Sequence, residues 1–165
     1  MVYHLSRNKR SIKGIIEIGG SKSESNRLLM LREYSSDFKI TNLSKSDDTK
    51  TLVNALANTD KIIDVNHAGT AMRFLASYYA SKLNSKITLT GSDRMKNRPI
   101  GILVDALRDL GAEIEYKEKE GYPPLRIIGK NLMGNEVSLP ANISSQFISS
   151  LMMLGVKVDN GIKLN

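Results

Sequence analysis

Short strand-like segments alternate with longer helix-like segments along almost the whole chain, and this alternation limits the possible folds more than any other feature. Apolar spacing predicts helices over 23–34, 46–56, 70–82, 100–110 and 144–154. Period-two spacing or short apolar runs predict strands over 13–18, 38–43, 62–65, 86–90, 112–117, 125–128, 136–139 and 156–164. Because helices and strands are interleaved rather than grouped, the sequence predicts an α/β fold.

The order of these elements repeats along the chain. A run of alternating strands and helices is followed by a second such run with additional strands, and the pattern begins a third time near Glu136. This layout indicates an internal repeat of a mixed α/β unit, whose third copy stops at Asn165. Such units pack their helices inward and their sheets outward, or the reverse, and periodicity does not choose between the two.

Three of the predicted helices begin with groups that suit an anion. The N–H groups in the first turn of a helix lack partners within the helix and carry partial positive charge, so phosphate or carboxylate binds there readily. The hydroxyls, amides and cations at these starts are Ser21, Lys22, Ser23 and Arg27; Gly69, Thr70 and Arg73; and Ser144, Ser145 and Gln146. Serine and threonine also cap helices for structural reasons alone. The coincidence of three such starts therefore predicts a ligand with more than one negative group.

The overall charge points to anionic partners. The formal net charge is +7 and the isoelectric point is near 9.6. Nucleic acid is one such partner, but aromatic residues make up only 5% of the chain and the Lys and Arg residues are scattered rather than gathered in one stripe. A small anionic metabolite explains the charge as well. A basic nucleic-acid-binding module therefore remains the alternative from a different functional class.

Several classes of site and location are disfavoured by what the sequence lacks. Without cysteine there are no disulfides and no thiolate metal sites, which fits a cytoplasmic location. No apolar run approaches the roughly 18 residues that a membrane span needs, so no membrane partner is expected. No P-loop, dinucleotide glycine motif or metal-ligand cluster is present. The sequence predicts chemistry on a small molecule without cofactor or metal.

One predicted loop contains three cations, Arg94, Lys96 and Arg98. Their mutual repulsion is costly unless a carboxylate or a bound anion compensates for it. We expect Arg94 to meet the ligand, Lys96 to be solvated, and Arg98 to pair with Asp47 or Asp48.

The two histidines receive structural interpretations. His67 lies just before the helix start at Gly69, and a histidine can act as a general acid or base because it titrates near neutral pH. A lone histidine beside a turn is more often structural, so neither His67 nor His4 is assigned a catalytic role.

Taken together, several stretches resemble the 5-enolpyruvylshikimate-3-phosphate synthase family. The matching stretches, in the family's order, are G-S-K-S-E-S-N-R at 20–27, S-D-D-T at 46–49, A-G-T-A-M-R at 68–73, G-S-D-R-M-K-N-R-P-I at 91–100, L-V-D-A-L-R-D-L-G-A at 103–112, Y-P-P-L at 122–125 and S-S-Q-F at 144–147. The resemblance extends from about Lys13 to the end of the chain.

The resemblance implies transfer of the carboxyvinyl group of phosphoenolpyruvate to the 5-hydroxyl of shikimate 3-phosphate, with release of phosphate and without a cofactor. This reaction belongs to the shikimate pathway of aromatic amino acid biosynthesis. Both substrates are anionic, in agreement with the three helix starts. A related transferase that acts on a UDP-sugar is a second possibility, but the S-K-S-x-S-N-R and Y-P-P-L patterns fit it less well.

The resemblance also implies roles for individual residues. Lys22 is expected to contact both substrates and to be the catalytic residue of this chain. The residues expected to hold shikimate 3-phosphate are Lys22, Ser23, Arg27, Ser144, Ser145 and Gln146. Those expected to hold phosphoenolpyruvate are Lys22, Gly69, Thr70, Arg94 and Gln146, the last of which lies between the two substrates.

The implied fold has two lobes of repeated βαβαββ units, with helices inside, sheets outside and helix N-termini facing the cleft. On this resemblance, residues 1–19 are expected to form a strand segment of the second lobe, and residues 20–165 an incomplete N-terminal substrate-binding lobe, truncated in its third unit. The family's catalytic Asp, Glu and Lys are expected in the second lobe. The chain alone is therefore expected to be inactive, and the full-length enzyme to be a monomer.

Two positions depart from the family's pattern beside the expected phosphoenolpyruvate site. His67 stands where an asparagine is usual, and Phe74 where a proline is usual. Both departures are expected to alter the affinity for that substrate.

Overall fold

The computed structural model describes residues 2–4, 6, 11, 13–35, 38–134, 136–140 and 142–165. Its helices are α1 (Lys22–Ser35), α2 (Asp47–Ala57), α3 (Gly69–Ser81), α4 (Asp93–Lys96), α5 (Gly101–Asp109) and α6 (Ser145–Leu154). Its strands are β1 (Ile62–Asp64), β2 (Lys86–Thr90), β3 (Glu113–Tyr116), β4 (Leu125–Ile128), β5 (Glu136–Val137) and β6 (Lys163–Leu164). The α/β fold class is confirmed. Within the described residues, no helix is long and apolar enough to cross a membrane.

The sheet shows one complete repeat of the unit. Its strand order is β1-β2-β4-β3, in which β1 and β2 are parallel and connected through α3. The hairpin strands β3 and β4 are antiparallel, and β4 also pairs antiparallel with β2. With α5 between β2 and β3, and apart from the single turn α4, the order is βαβαββ. A new unit then begins, because β5 and β6 form a parallel pair connected through α6.

The helices face inward. All 13 residues of α3 are buried, so this helix is covered on every side. Along β2, buried residues alternate with residues that are at least partly exposed, and β4 shows the same alternation. A sheet with such alternation has one face on the core and the other towards solvent. The structure therefore resolves the choice that periodicity left open: the helices form the interior and the sheet covers it from outside.

Helices α3 and α6 run parallel to each other. Near their N-termini, Gln146 Nε2 donates to Thr70 Oγ1 at 3.2 Å. Further along both helices, the hydroxyl oxygens of Ser77 and Ser150 lie 2.7 Å apart. Because contacts advance in the same direction along both helices, their N-termini lie at the same end.

Helix α1 is parallel to α3 by the same reasoning. The guanidinium carbon of Arg27 lies 5.9 Å from the centroid of the Phe74 ring. One to two turns later, the ring centroids of Tyr34 and Tyr78 are 6.0 Å apart in an edge-on arrangement. The N-termini of α1, α3 and α6 therefore share one end of the molecule.

Two predicted strands in the first part of the chain are wrong. Residues 13–18 and 38–43 are described but form no strand. Alternating apolar residues form a strand only where a neighbouring strand supplies the missing hydrogen bonds. Ile15 and Ile18 are 97% and 82% exposed, so no other segment covers them. Of the range 1–19, residues 1, 5, 7–10 and 12 lie outside the described residues, and its assignment to a second lobe stays a prediction.

Two further elements differ from expectation. The predicted strand 156–164 is reduced to β6, because a turn with Asn160 and Gly161 at positive φ interrupts it. Left-handed backbone of this kind suits asparagine and glycine but cannot continue a strand. The predicted loop 91–99 contains the single turn α4, which Ser92 caps by accepting from the Met95 N–H at 3.4 Å.

We predict that the substitution Leu75→Ala lowers the free energy of unfolding by about 2–5 kcal/mol, because Leu75 is completely buried at the centre of α3 and its removal leaves a cavity. The measurement is a urea titration followed by circular dichroism. Ile16→Ala is the matched control, with an expected change within about 0.5 kcal/mol, because Ile16 is 85% exposed. Equal losses for the two variants would contradict the inward packing of the helices.

Candidate functional site

The shared N-terminal end of α1, α3 and α6 collects most of the residues that the sequence singles out. Ser23 lies in the first turn of α1, Gly69 and Thr70 begin α3, and Ser145 begins α6. The first turn of each helix leaves N–H groups without helical partners, and three parallel helix dipoles add their positive ends at one place. This end is therefore electrostatically suited to anions before any side chain is considered.

On the α1 side, one cation is oriented and the other is loosely held. Arg27 donates from Nη1 to the Ser23 carbonyl and from Nη2 to Ser149 Oγ, both at 2.9 Å. The bond to Ser149 connects α1 to α6, and the two bonds together fix the direction of the guanidinium. Lys22 Nζ lies 4.0 Å from an Asp48 carboxylate oxygen, with half of its side chain exposed. Such a pair is weak, so Lys22 can turn towards a ligand.

The two serines at the start of α6 differ in their roles. Ser144 precedes the helix and accepts from the Gln146 N–H through its hydroxyl at 3.4 Å. Ser145 is exposed at the first helical position. The Gln146 side chain is bonded to Thr70 and therefore joins the start of α6 to the start of α3.

Beside the start of α3 lies a pocket of about 180 Å³, lined by His67, Arg94, Met95 and Arg98. A Cβ atom added at Gly69 would overlap the Arg98 guanidinium, so this guanidinium lies directly on the first turn of α3. The absence of a side chain at Gly69 is what permits this approach. We call this cavity the arginine pocket.

Arg73 supports the arginine pocket from the core. Its side chain is 5% exposed and donates to the Gly69 carbonyl at 3.1 Å and to the Pro99 carbonyl at 3.4 Å. Its Nε has no hydrogen-bond partner among the described residues. Burial, and to a smaller extent the neighbouring positive charge of Arg98, lowers the pKa of Arg73 to about 10. Two like charges are thus held together, and a bound anion would relieve their repulsion.

Two expectations about the cationic loop are wrong. Arg98 does not pair with Asp47 or Asp48, because these carboxylates lie nearest to Lys50 and Lys22, at 3.6 and 4.0 Å.

Lys96 is not simply solvated either, because its Nζ lies 3.0 Å from a Glu118 carboxylate oxygen.

Arg98 is the residue of the pocket that the sequence analysis did not assign to the ligand. The sequence signal for this contact was Gly69, because a glycine at a helix start allows another group to come close. It does not identify which residue that group belongs to.

Two cations on the sheet side lie beside carboxylates. Arg126 pairs with Glu115 at 2.9 Å, and Lys130 pairs with Glu113, whose pKa this hydrogen bond lowers. In the part of the chain that the structure describes, no group of three His, Asp or Glu residues could hold a metal ion. Arg94 and Arg98 of the arginine pocket have no such carboxylate partner among the described residues.

Comparison with known proteins identifies the family. The family model for EPSP synthase (3-phosphoshikimate 1-carboxyvinyltransferase) matches residues 54–164. The chain belongs to the EPSP synthase family. Among curated relatives, it is 49% identical over 154 residues to the 3-phosphoshikimate 1-carboxyvinyltransferase of Bacteroides fragilis strain YCH46, an alignment that covers 93% of this chain and 37% of that protein.

Other EPSP synthase relatives give the same result. The chain is 39% identical to the 3-phosphoshikimate 1-carboxyvinyltransferase of Haemophilus influenzae strain PittEE, over 93% of its own length and 42% of the relative's. The EPSP synthase structure from Acinetobacter baumannii superposes with a TM-score of 0.78 at 22% identity, over 88% of this chain and 38% of that one. This superposition supports the fold. The chain spans about two-fifths of the length of these EPSP synthases.

We predict that Arg98→Gln raises the melting temperature of the ligand-free chain by about 1–2 °C, because it removes a like charge beside the buried Arg73. It should also abolish most of the stabilisation that added sulfate gives to the unsubstituted chain. Thermal unfolding with and without sulfate measures both effects. Arg126→Gln is the control, since Arg126 already has a carboxylate partner. A lower melting temperature for Arg98→Gln without sulfate would contradict the repulsion between the two arginines.

Proposed function

We propose that this chain forms the shikimate 3-phosphate-binding half of a 3-phosphoshikimate 1-carboxyvinyltransferase active site, together with part of the phosphoenolpyruvate site. Membership of the EPSP synthase family supports the reaction. The observation on which the proposal depends is the shared end of α1, α3 and α6. There the N-terminus of α3 meets Arg98, which lines the same pocket as Arg94, and neither arginine has a carboxylate partner among the described residues.

The proposed shikimate 3-phosphate site lies between α1 and α6. Arg27 is already oriented by its bonds to Ser23 and Ser149, so little conformational entropy is lost when it meets a phosphate. Ser23 and Ser145 are exposed at the helix starts and supply hydroxyl donors beside the free N–H groups. Contacts from these groups to the phosphate fix the carbocyclic ring of shikimate 3-phosphate and thereby the position of its 5-hydroxyl.

The proposed phosphoenolpyruvate site is the arginine pocket together with the first turn of α3. Gly69 and Thr70 supply N–H groups at the positive end of the helix, and Arg94 and Arg98 supply two cations. An arginine suits both phosphate and carboxylate because its donors form a rigid planar fork. Phosphoenolpyruvate carries both groups, so the pocket offers one arginine for each.

Gln146 and Lys22 are proposed to act where the two sites meet. The Gln146 amide is held by Thr70, which belongs to the phosphoenolpyruvate side, while its helix carries Ser144 and Ser145 of the other side. Lys22 is only weakly held by Asp48 and can lie between the two anions.

In the reaction, the 5-hydroxyl oxygen loses its proton and forms a bond to the central carbon of phosphoenolpyruvate. The bond from that carbon to the phosphate oxygen breaks, phosphate leaves with the displaced proton, and the product carries a vinyl group. Positive charge from Lys22 and Arg94 stabilises the charge that accumulates on the leaving phosphate.

We predict that shikimate 3-phosphate binds the chain and that Arg27→Ala weakens this binding about tenfold, because a charge-assisted hydrogen bond is lost. Arg94→Ala should leave shikimate 3-phosphate binding nearly unchanged and weaken phosphoenolpyruvate binding by a similar factor. Isothermal titration calorimetry with each ligand measures these affinities. Arg126→Ala is the matched control, because it removes an arginine of the same charge from the outer face of the sheet.

A fluorescent DNA duplex titrated at two salt concentrations separates the proposal from nucleic-acid binding. DNA affinity falls steeply with salt when several phosphates are contacted. DNA binding that exceeds shikimate 3-phosphate binding at moderate salt, and that Arg27→Ala leaves unchanged, would contradict the proposed function.

We predict that the chain releases no phosphate when both substrates are present. The groups that would move the hydroxyl proton are expected outside these residues, so both substrates can be positioned without reacting. A phosphate-release assay at enzyme concentrations high enough to detect a single turnover provides the measurement. Turnover by the isolated chain would show that its own residues suffice for the proton transfers.

A further inference from the structure

His67 occupies the rim of the arginine pocket in a fixed orientation. It lies in the turn between β1 and α3, it is exposed, and it lines the same cavity as Arg94 and Arg98. Its Nδ1 lies 2.7 Å from the hydroxyl oxygen of Ser92, the residue that caps α4. A turn residue held to the neighbouring element in this way presents its remaining ring atoms at a defined place.

The contact with Ser92 occupies one nitrogen of this ring. Ser92 Oγ also accepts from the Met95 N–H and lies 3.3 Å from the Asn66 carbonyl oxygen, so the hydroxyl is held between the turn and α4. The ring nitrogen left to meet a ligand is Nε2, for which the described residues supply no hydrogen-bond partner.

A dianion bound in this pocket favours a second proton on the ring. Histidine is the side chain that ordinarily changes charge between pH 5 and 8. An opposite charge within a few ångströms of a titratable group favours its charged form. The charged groups on the surrounding elements are Asp64 at the end of β1, Arg73 on α3, and Asp93, Arg94, Lys96 and Arg98 on and after α4.

The acidic members of this set are held elsewhere or face solvent. Asp64 accepts the Asn66 N–H at 2.7 Å, and Asp93 is exposed at the first position of α4. Neither carboxylate has a contact with the His67 ring among the described residues. The cations therefore dominate the field at Nε2, and an anionic ligand is the partner that compensates for it.

We propose that His67 is an anion-binding residue of the arginine pocket that donates from Nε2 to a dianionic phosphate or sulfate group, so that ligand binding is accompanied by proton uptake. This assignment rests on the proposed function, because it requires the arginine pocket to be an anion site. It makes the affinity of this chain for phosphoenolpyruvate dependent on pH through one of its own residues, in addition to the titration of the substrate.

The test uses sulfate as the probe, because sulfate stays dianionic across the range in which histidine titrates. The 165-residue chain is labelled with ¹⁵N, and the amide signals of Gly69 and Thr70 are followed during sulfate titrations from pH 8 to pH 5.5 at constant ionic strength. The affinity of the unsubstituted chain should rise about three- to tenfold more over this range than that of His67→Asn. His4→Asn, which removes the other histidine, is the matched control and should behave as the unsubstituted chain.

A second readout follows the His67 ring itself. Added sulfate at pH 6.5 should shift its ring nitrogen signals towards those of the doubly protonated form.

Two results would overturn parts of the argument separately. Identical pH profiles for the unsubstituted chain and His67→Asn, with sulfate still binding at Gly69 and Thr70, would overturn the role of His67 and leave the anion pocket standing. No effect of sulfate or phosphoenolpyruvate on these amides at any pH would overturn the anion pocket, and the role of His67 with it.

Discussion

A helix that is buried on all sides needs a neighbour on each side, and α3 has this requirement over its whole length. The sheet covers one side, and α1, α2, α5 and α6 cover the others. A buried helix still has unpaired N–H groups in its first turn, and these must reach solvent, a side chain or a ligand. Burial of the body of α3 therefore leaves its unpaired N–H groups at its start, where Gly69 lies.

The parallel arrangement multiplies this effect. Since α1 and α6 run in the same direction as α3, their first turns open at the same end, and three dipoles point the same way. Parallel dipoles repel one another, and two arginines placed beside them add to the repulsion. This unfavourable electrostatic energy is confined to the helix starts and the arginine pocket, whereas several other cations are paired with carboxylates. A bound anion would offset this repulsion.

Much of the fold was accessible from the sequence. The bounds of α3 and β2 follow from apolar spacing to within a residue, because each has a complete set of neighbours supplied by the chain itself. Spacing fails for 13–18 and 38–43, where the alternation is present but no strand among the described residues pairs with them. A period of two shows only that a strand would have one apolar and one polar face. The hydrogen bonds of a strand require a neighbouring strand, which the period does not reveal.

The candidate site shows the same limit. Residues of the helix starts were recognised because capping chemistry and glycine are local signals in Ser23, Gly69 and Ser145. Arg98 was assigned to the wrong partner, since the choice between a carboxylate and a helix start depends on tertiary distances that spacing along the chain does not contain. The direction of Arg27 was equally inaccessible, because its partner Ser149 is 122 positions away.

This last separation has a consequence for how the molecule acquires its binding surface. Loops that close over a hundred residues form late and slowly during folding, because chain entropy must be overcome before the contact contributes. No single segment, and no early folding intermediate that lacks α6, can contain the complete surface. The anion recognition proposed for this surface therefore depends on the finished topology, and a ligand bound there would stabilise the folded chain.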